Sequence, residues 1–285
     1  MSEQHPPTPA ERDAEVDRVL RWVCGRLLDL APPDAVRLDL KVTMASTVED
    51  FTCTTVAADG SARTHELPQD VHPAFADLRD LLYEPGRGTW LSVRLVIDPP
   101  DTVRVTFNFD VDPVWDPPVG PELLAKDLED YPRDELPPWL HHTLTGETAP
   151  LSADPEDHAR RIGDQLHQTL PPGWEHARVR FREVGDHAET DAVVHTVGGA
   201  HARWEPPRAV TERFRELRAA TRGDSAWYSA EFELRAATGE QRIELNRDDE
   251  PTWTAPPPAE AYREELRLSG GTAEALPTWV RAKLP

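Results

Sequence analysis

Asn108, Asp110 and Asp112 stand at alternate positions in the stretch VTFNFDVDPVW (105–115), and Asp116 follows it. Clustered oxygen side chains are the ligands that magnesium and calcium take. A calcium loop of the EF-hand kind needs a further oxygen at its fifth position and glycine at its sixth. Counted from Asp110 these are Val114 and Trp115, so that pattern fails. A β-strand offers the other explanation. Side chains alternate across a sheet, which would set Asn108, Asp110 and Asp112 on the face opposite Val105, Phe107 and Phe109.

Nothing else in the chain composes a catalytic set. There is no G-x-S-x-G, P-loop or G-x-G-x-x-G. The two cysteines, Cys24 and Cys53, are too few for a disulfide framework, have no zinc spacing with histidine, and read as small buried hydrophobes. The doublet His141-His142 reads as surface. His158, His167, His176, His187, His195 and His201 share no spacing. The expectation is no catalytic residue, no metal and no cofactor.

What must position the acidic stretch becomes clear when the chain is laid on itself. Residues 243–253, IELNRDDEPTW, match the opening stretch at an offset of 138: Asn108 with Asn246, Asp110 with Asp248, Asp112 with Glu250, Pro113 with Pro251, Trp115 with Trp253. Asp249 stands between the acids of the second copy. The agreement spreads. LPPWL (136–140) answers LPTWV (276–280). Trp90 answers Trp227, Phe75 and Leu78 answer Phe214 and Leu217, and Pro32-Pro33 answer Pro171-Pro172, all at offsets of 137–140. A constant offset over so many landmarks is an internal repeat. It predicts units at 16–143 and 155–285, a disordered tail over 1–15 and a linker over 144–154.

Each unit opens with apolar residues at helical spacing (Val16, Val19, Leu20, Val23, Leu27 in the first; Ile162, Leu166, Leu170 in the second) and a Pro-Pro stop. Alternating strands follow, then a second helix, two longer strands and a short acidic helix ending in the Leu-Pro-x-Trp element. The predicted class is α+β: two tandem α-β-β-α-β-β-α units, each an antiparallel sheet packed by helices. Duplication of this kind often mimics a two-fold dimer, so a monomer with an internal pseudo-two-fold is expected, with a dimer of the whole chain left open. The repeated tryptophans, Trp90/Trp227, Trp115/Trp253 and Trp139/Trp279, read first as packing for a small core. The rival reading is a binding surface, for which Trp115 and Trp253, just past a strand end, are the better candidates as exposed anchors for a partner.

The net charge is −21, with 13 basic and 27 acidic residues in 1–145 against 18 and 25 in 146–285. Such a balance disfavours nucleic acid and anionic lipid and favours a basic protein partner. No run of 18 apolar residues exists to span a membrane, and the polar, acidic start has no secretion pattern, so a cytoplasmic protein is expected.

The second copy also resembles a known family. A strand ending in NRDDEP, the helix AYREELRL, the closing ALPTWVR and the passage LPPGWEHARVRFREVG with Trp174 are similar to the YezG-like immunity proteins, small acidic α+β proteins encoded beside secreted bacterial toxins. The resemblance covers most of 158–285. The first copy follows it more loosely, with Ala35 in place of Trp174 and Leu124 in place of Tyr262. It implies a cytoplasmic inhibitor of the enzymatic domain of a cognate toxin, a nuclease or nucleotide-hydrolysing enzyme with a basic cleft. The residues expected to meet that toxin are Asp110, Asp112, Trp115 and Asp116, with Asp248, Asp249, Glu250 and Trp253. A general interaction module with no toxin partner, and a metal-dependent hydrolase using Asp110 and Asp112, are the other readings.

Overall fold

The chain is α+β and divides into two units, Met1–Ala149 and Pro150–Pro285. The computed structural model describes residues 8–152, 154–222 and 226–284. In the first unit the order is α1 (Pro9–Leu28), β1 (Ala35–Ala45), β2 (Val48–Ala57), β3 (Ala62–His65), α2 (Val71–Leu81), β4 (Ser92–Asp98), β5 (Thr102–Asn108), α3 (Pro121–Asp130) and α4 (Pro138–Thr145). The second repeats it with α5 (Pro155–Thr169), β6 (Trp174–Val184), β7 (His187–Thr196), β8 (His201–Trp204), α6 (Arg208–Thr221), β9 (Ser229–Arg235), β10 (Gln241–Asn246), α7 (Ala259–Leu268) and α8 (Thr278–Arg281).

Both sheets are antiparallel and five-stranded, in the orders β3-β2-β1-β4-β5 and β8-β7-β6-β9-β10. Three strands meander, then α2 or α6 carries the chain across the sheet so that the fourth strand pairs with the first. Register is kept between the units. Cys53–Leu40–Leu95–Val105 form one row of the first sheet, and Ala192–Val179–Phe232–Ile243 form its counterpart in the second. Those rows face the helices. Val23 and Leu27 of α1 and Phe75 and Leu78 of α2 close on Leu38, Leu40, Val42 and Trp90; in the second unit Ile162, Leu166, Phe214 and Leu217 close on Val179, Phe181 and Trp227. A smaller cluster at one end of each sheet holds α3 and α4, or α7 and α8.

Three expectations need correction. The helix opens at Pro9, inside the stretch 1–15 expected to be a disordered tail; residues 1–7 lie outside the described residues. Thr8 starts it. Its hydroxyl accepts from Glu11 N–H while the Glu11 carboxylate accepts from Thr8 N–H at 2.8 Å, a reciprocal cap next to a proline at the first helical position. Each unit also has a third short strand, β3 or β8, and a closing helix on the Leu-Pro-x-Trp element that the seven-element order lacked. Finally, Cys53 is buried but Cys24 is half-buried, and both thiols are free.

Candidate functional site: the acidic strand-end turns

The acidic stretch does not continue β5. The strand ends at Asn108, so Asn108, Asp110 and Asp112 do not share one strand face as alternation predicts. The Asn108 side chain ends it. Its Nδ2 donates to Ser92 Oγ (2.9 Å) and to the Val111 carbonyl (2.7 Å), while its Oδ1 accepts from the N–H groups of Asp110 (3.0 Å) and Val111 (2.8 Å). An amide side chain can supply both donors and acceptors and so stands in for the lost sheet partner. Asn246 repeats every bond: Nδ2 to Ser229 Oγ (3.1 Å) and the Asp249 carbonyl (2.8 Å), Oδ1 from Asp248 N–H (3.3 Å) and Asp249 N–H (3.0 Å). Ser92 and Ser229 are the cross-strand partners of the two asparagines.

Beyond the asparagine each carboxylate has its own environment. Asp110 is half-buried; its carbonyl accepts from Trp139 Nε1 at 3.0 Å. Asp112 Oδ1 accepts from Val114 N–H at 2.8 Å, closing a turn that puts Val114 at φ 56°. A β-branched residue rarely adopts that backbone. Lys41 Nζ, donating to the Pro113 carbonyl at 3.2 Å, helps to hold it there. Burial, and then the nearby Arg94, push the Lys41 ammonium below its ordinary range. Asp116 is exposed. In the second unit Asp248, Asp249 and Glu250 are all exposed, and Glu250 accepts from Lys283 Nζ. Arg182 donates to the Thr252 carbonyl at 2.8 Å. Glu189 accepts from Thr254 and Ala255 N–H, both at 2.8 Å. Burial acts to raise the Glu189 carboxyl, but the N–H groups of Ala255 and Thr254 outweigh it and hold the group below its usual range.

The two tryptophans are not free anchors. Trp115 is half-buried against the cluster of Leu124, Leu140 and Trp139. Trp253 packs against the Tyr262 and Val280 cluster, with the His187 ring edge-on at 5.5 Å. Apolar area outweighs the pull of solvent on the indole, and each ring acts as a lid on the small cluster.

Sequence reasoning missed the device that ties the helix after each acidic turn to the rest of its unit. Arg79 of α2 donates to both oxygens of Asp127 of α3 (2.7 and 2.8 Å), and Asp127 Oδ1 also accepts from Ser46 N–H in the β1–β2 turn (2.5 Å). The second unit repeats it: Arg218 Nη2 donates to both oxygens of Glu265 (3.0 and 2.9 Å), and Glu265 accepts from Gly185 N–H (2.7 Å). Both pairs are buried. Gly185 has φ 59°, and a Cβ there would lie 2.1 Å from the Ala261 carbonyl oxygen, so α7 sits too close for any side chain. The signal was present in the repeat, since Arg79 and Arg218 stand 139 apart, Asp127 and Glu265 138 apart.

Compared with known proteins, the chain matches no family model and no curated protein. Among the described residues, no group of three or more His, Cys, Asp and Glu side chains is placed to hold one metal ion. No helix among them is long and apolar enough to cross a membrane.

Proposed function

We propose that this chain is an inhibitor of the YezG-like immunity kind, which binds and blocks the basic enzymatic domain of a toxin in the cytoplasm of the cell that makes it. The observation that carries the reading is the strand-end turn, built by the same asparagine frame in both units and presenting carboxylates to solvent. A frame that is ordered before contact reduces the entropy lost on binding, and fixed negative charge speeds encounter with a basic surface. The net charge of −21 acts in the same direction.

The frame also ranks the eight candidate residues. Asp112 closes its own turn, Glu250 is paired with Lys283, and Trp115 and Trp253 are packed. Asp116, Asp248 and Asp249 are the carboxylates most available to a partner, with Asp110 behind them.

The test is capture of partners by the tagged full-length chain from its native bacterium, with elution in a salt gradient. The expected result is one basic, toxin-like domain in near-stoichiometric amount, which a variant with Asn at Asp116, Asp248 and Asp249 binds with slower association and weaker salt dependence. Recovery of no specific partner removes the inhibitor reading. A partner whose association rate ignores the triple variant removes the acidic turns from the contact.

A further inference from the structure

Three histidines that fit no motif come together on the second sheet. His176 of β6 pairs across strands with His195 of β7, and His195 pairs with His201 of β8. Ala177 and Val194, beside them in sequence, face the core, so His176 and His195 stand on the opposite face. Nδ1 of His195 lies 3.0 Å from Nδ1 of His201, with the rings nearly perpendicular and their centroids 4.3 Å apart. The His176 ring is 5.2 Å from that of His195. The same register row of the first unit reads Arg37, Val56 and Ala62, so the feature belongs to the second unit alone.

A separation of 3.0 Å has two chemical meanings. In the free protein one Nδ1 carries a proton and donates it to the other. In a chelate, imidazole nitrogens lie about 2.0–2.1 Å from a zinc-like ion; with an angle of 90–109° at the metal they are about 2.9–3.4 Å apart. The sheet register therefore already holds the two nitrogens at chelating distance. Binding needs the Nδ1 proton to move to Nε2 of its own ring through solvent, and the two rings to turn until both Nδ1 lone pairs converge on the ion. Both imidazoles then ligate in the neutral form, and no net proton leaves the neutral pair. His201 is exposed and His195 half-buried, so water can complete the coordination shell. At the other end of the row Arg235 stands across from His176 and disfavours a cation there.

The geometry points to a two-imidazole site for a divalent transition ion of the copper, nickel or zinc kind, held by Nδ1 of His195 and Nδ1 of His201 and clipping the edge strand β8 to β7. Imidazole suits these ions, whereas magnesium and calcium need oxygen ligands. This site is independent of the inhibitor reading.

The test uses the full-length chain titrated with Cu²⁺, Ni²⁺ and Zn²⁺, and with Mg²⁺ as the hard-ion control, by calorimetry and by amide hydrogen exchange over residues 195–204. The expected result is one site, tightest for Cu²⁺, with slower exchange in β8 on loading and no response to Mg²⁺. His195→Ala and His201→Ala should each weaken that site at least about tenfold, since loss of even an outer-shell partner costs that much. His141→Ala should leave it unchanged. Both sheet histidines are on the polar face, and exchange without metal checks that the variants are folded. Equal affinity and stoichiometry in wild type and in the His195→Ala/His201→Ala variant overturn the assignment, as does absence of binding by all three ions.

Discussion

Replacing Asp127 with Asn tests what ties α3 to the body of the first unit. The side chains of Arg79 and Asp127 are 3% and 6% exposed, so the ion pair is out of water. Asn keeps the shape and one acceptor but removes the charge that two guanidinium bonds and the Ser46 N–H now share. Breaking a buried pair on one side costs about 3–5 kcal/mol, because the surviving charge stays buried. Here the Arg79 guanidinium also lies over the Tyr131 ring at 4.7 Å and near the Trp90 ring at 5.7 Å. Those contacts persist and offset part of the loss, which places the expected cost near the lower end, about 3 kcal/mol. The variant Arg79→Leu/Asp127→Leu leaves no charge behind. Its main penalty is the Ser46 N–H without an acceptor, about 1–3 kcal/mol. The double variant should therefore be no less stable than Asp127→Asn, and far from the sum of the two single changes. The assay is urea unfolding followed by tryptophan fluorescence, with hydrogen exchange over 71–81 and 121–130 to localise the effect. If Asp127→Asn lies within about 1 kcal/mol of wild type, the pair is not what holds the two helices.

Three further outcomes are expected. Asn108→Ala should lower stability by about 1–3 kcal/mol, since it leaves buried groups unpaired; Asn246, more exposed, should cost less, and equal costs would contradict the burial argument. Glu189 is held below its usual range, so its contribution to stability is present above the unfolded carboxylate value and is lost as pH falls through the lower folded one. Glu189→Gln should remove that step from the acid limb of the urea midpoint measured against pH, and an unchanged acid limb would refute it. Burial pushes the Cys53 thiol up to about 11, with Asp39 adding to it, so a thiol reagent at pH 8 should label Cys53 only with unfolding; labelling at the rate of a free thiol would show that β2 opens locally.

The α+β class with an antiparallel sheet in each unit was readable because core residues repeat at a fixed offset, and Leu38, Leu40 and Val42 lie on the core side as their alternation requires. Other features were legible but outweighed. Thr8, Pro9 and Glu11 spell a helix start, yet the polar, acidic stretch around them reads as tail. The short strands β3 and β8 escaped because an edge strand of four residues, most of them exposed, has no hydrophobic alternation to betray it. The acidic turn misled for a sharper reason. Alternating Asn-x-Asp-x-Asp has the same period whether the strand continues or stops, and what stops it is the hydrogen-bonding reach of one amide, invisible to periodicity. Likewise, the burial of Trp115 and Trp253 depends on α3 with α4 and α7 with α8 folding over them, contacts distant in sequence.

Apart from one serine, each asparagine frame grips only main-chain atoms. In the second unit the side chains between asparagine and proline, Arg-Asp-Asp-Glu, are all exposed and so largely released from duty to the fold, whereas in the Phe-Asp-Val-Asp of the first Val111 is buried, Phe109 packs on the core and Asp112 closes the turn. The second turn is thus a graft site supplied by nature, where a lineage, or a designer, can rewrite the outward-facing chemistry residue by residue while the asparagine keeps the loop's shape.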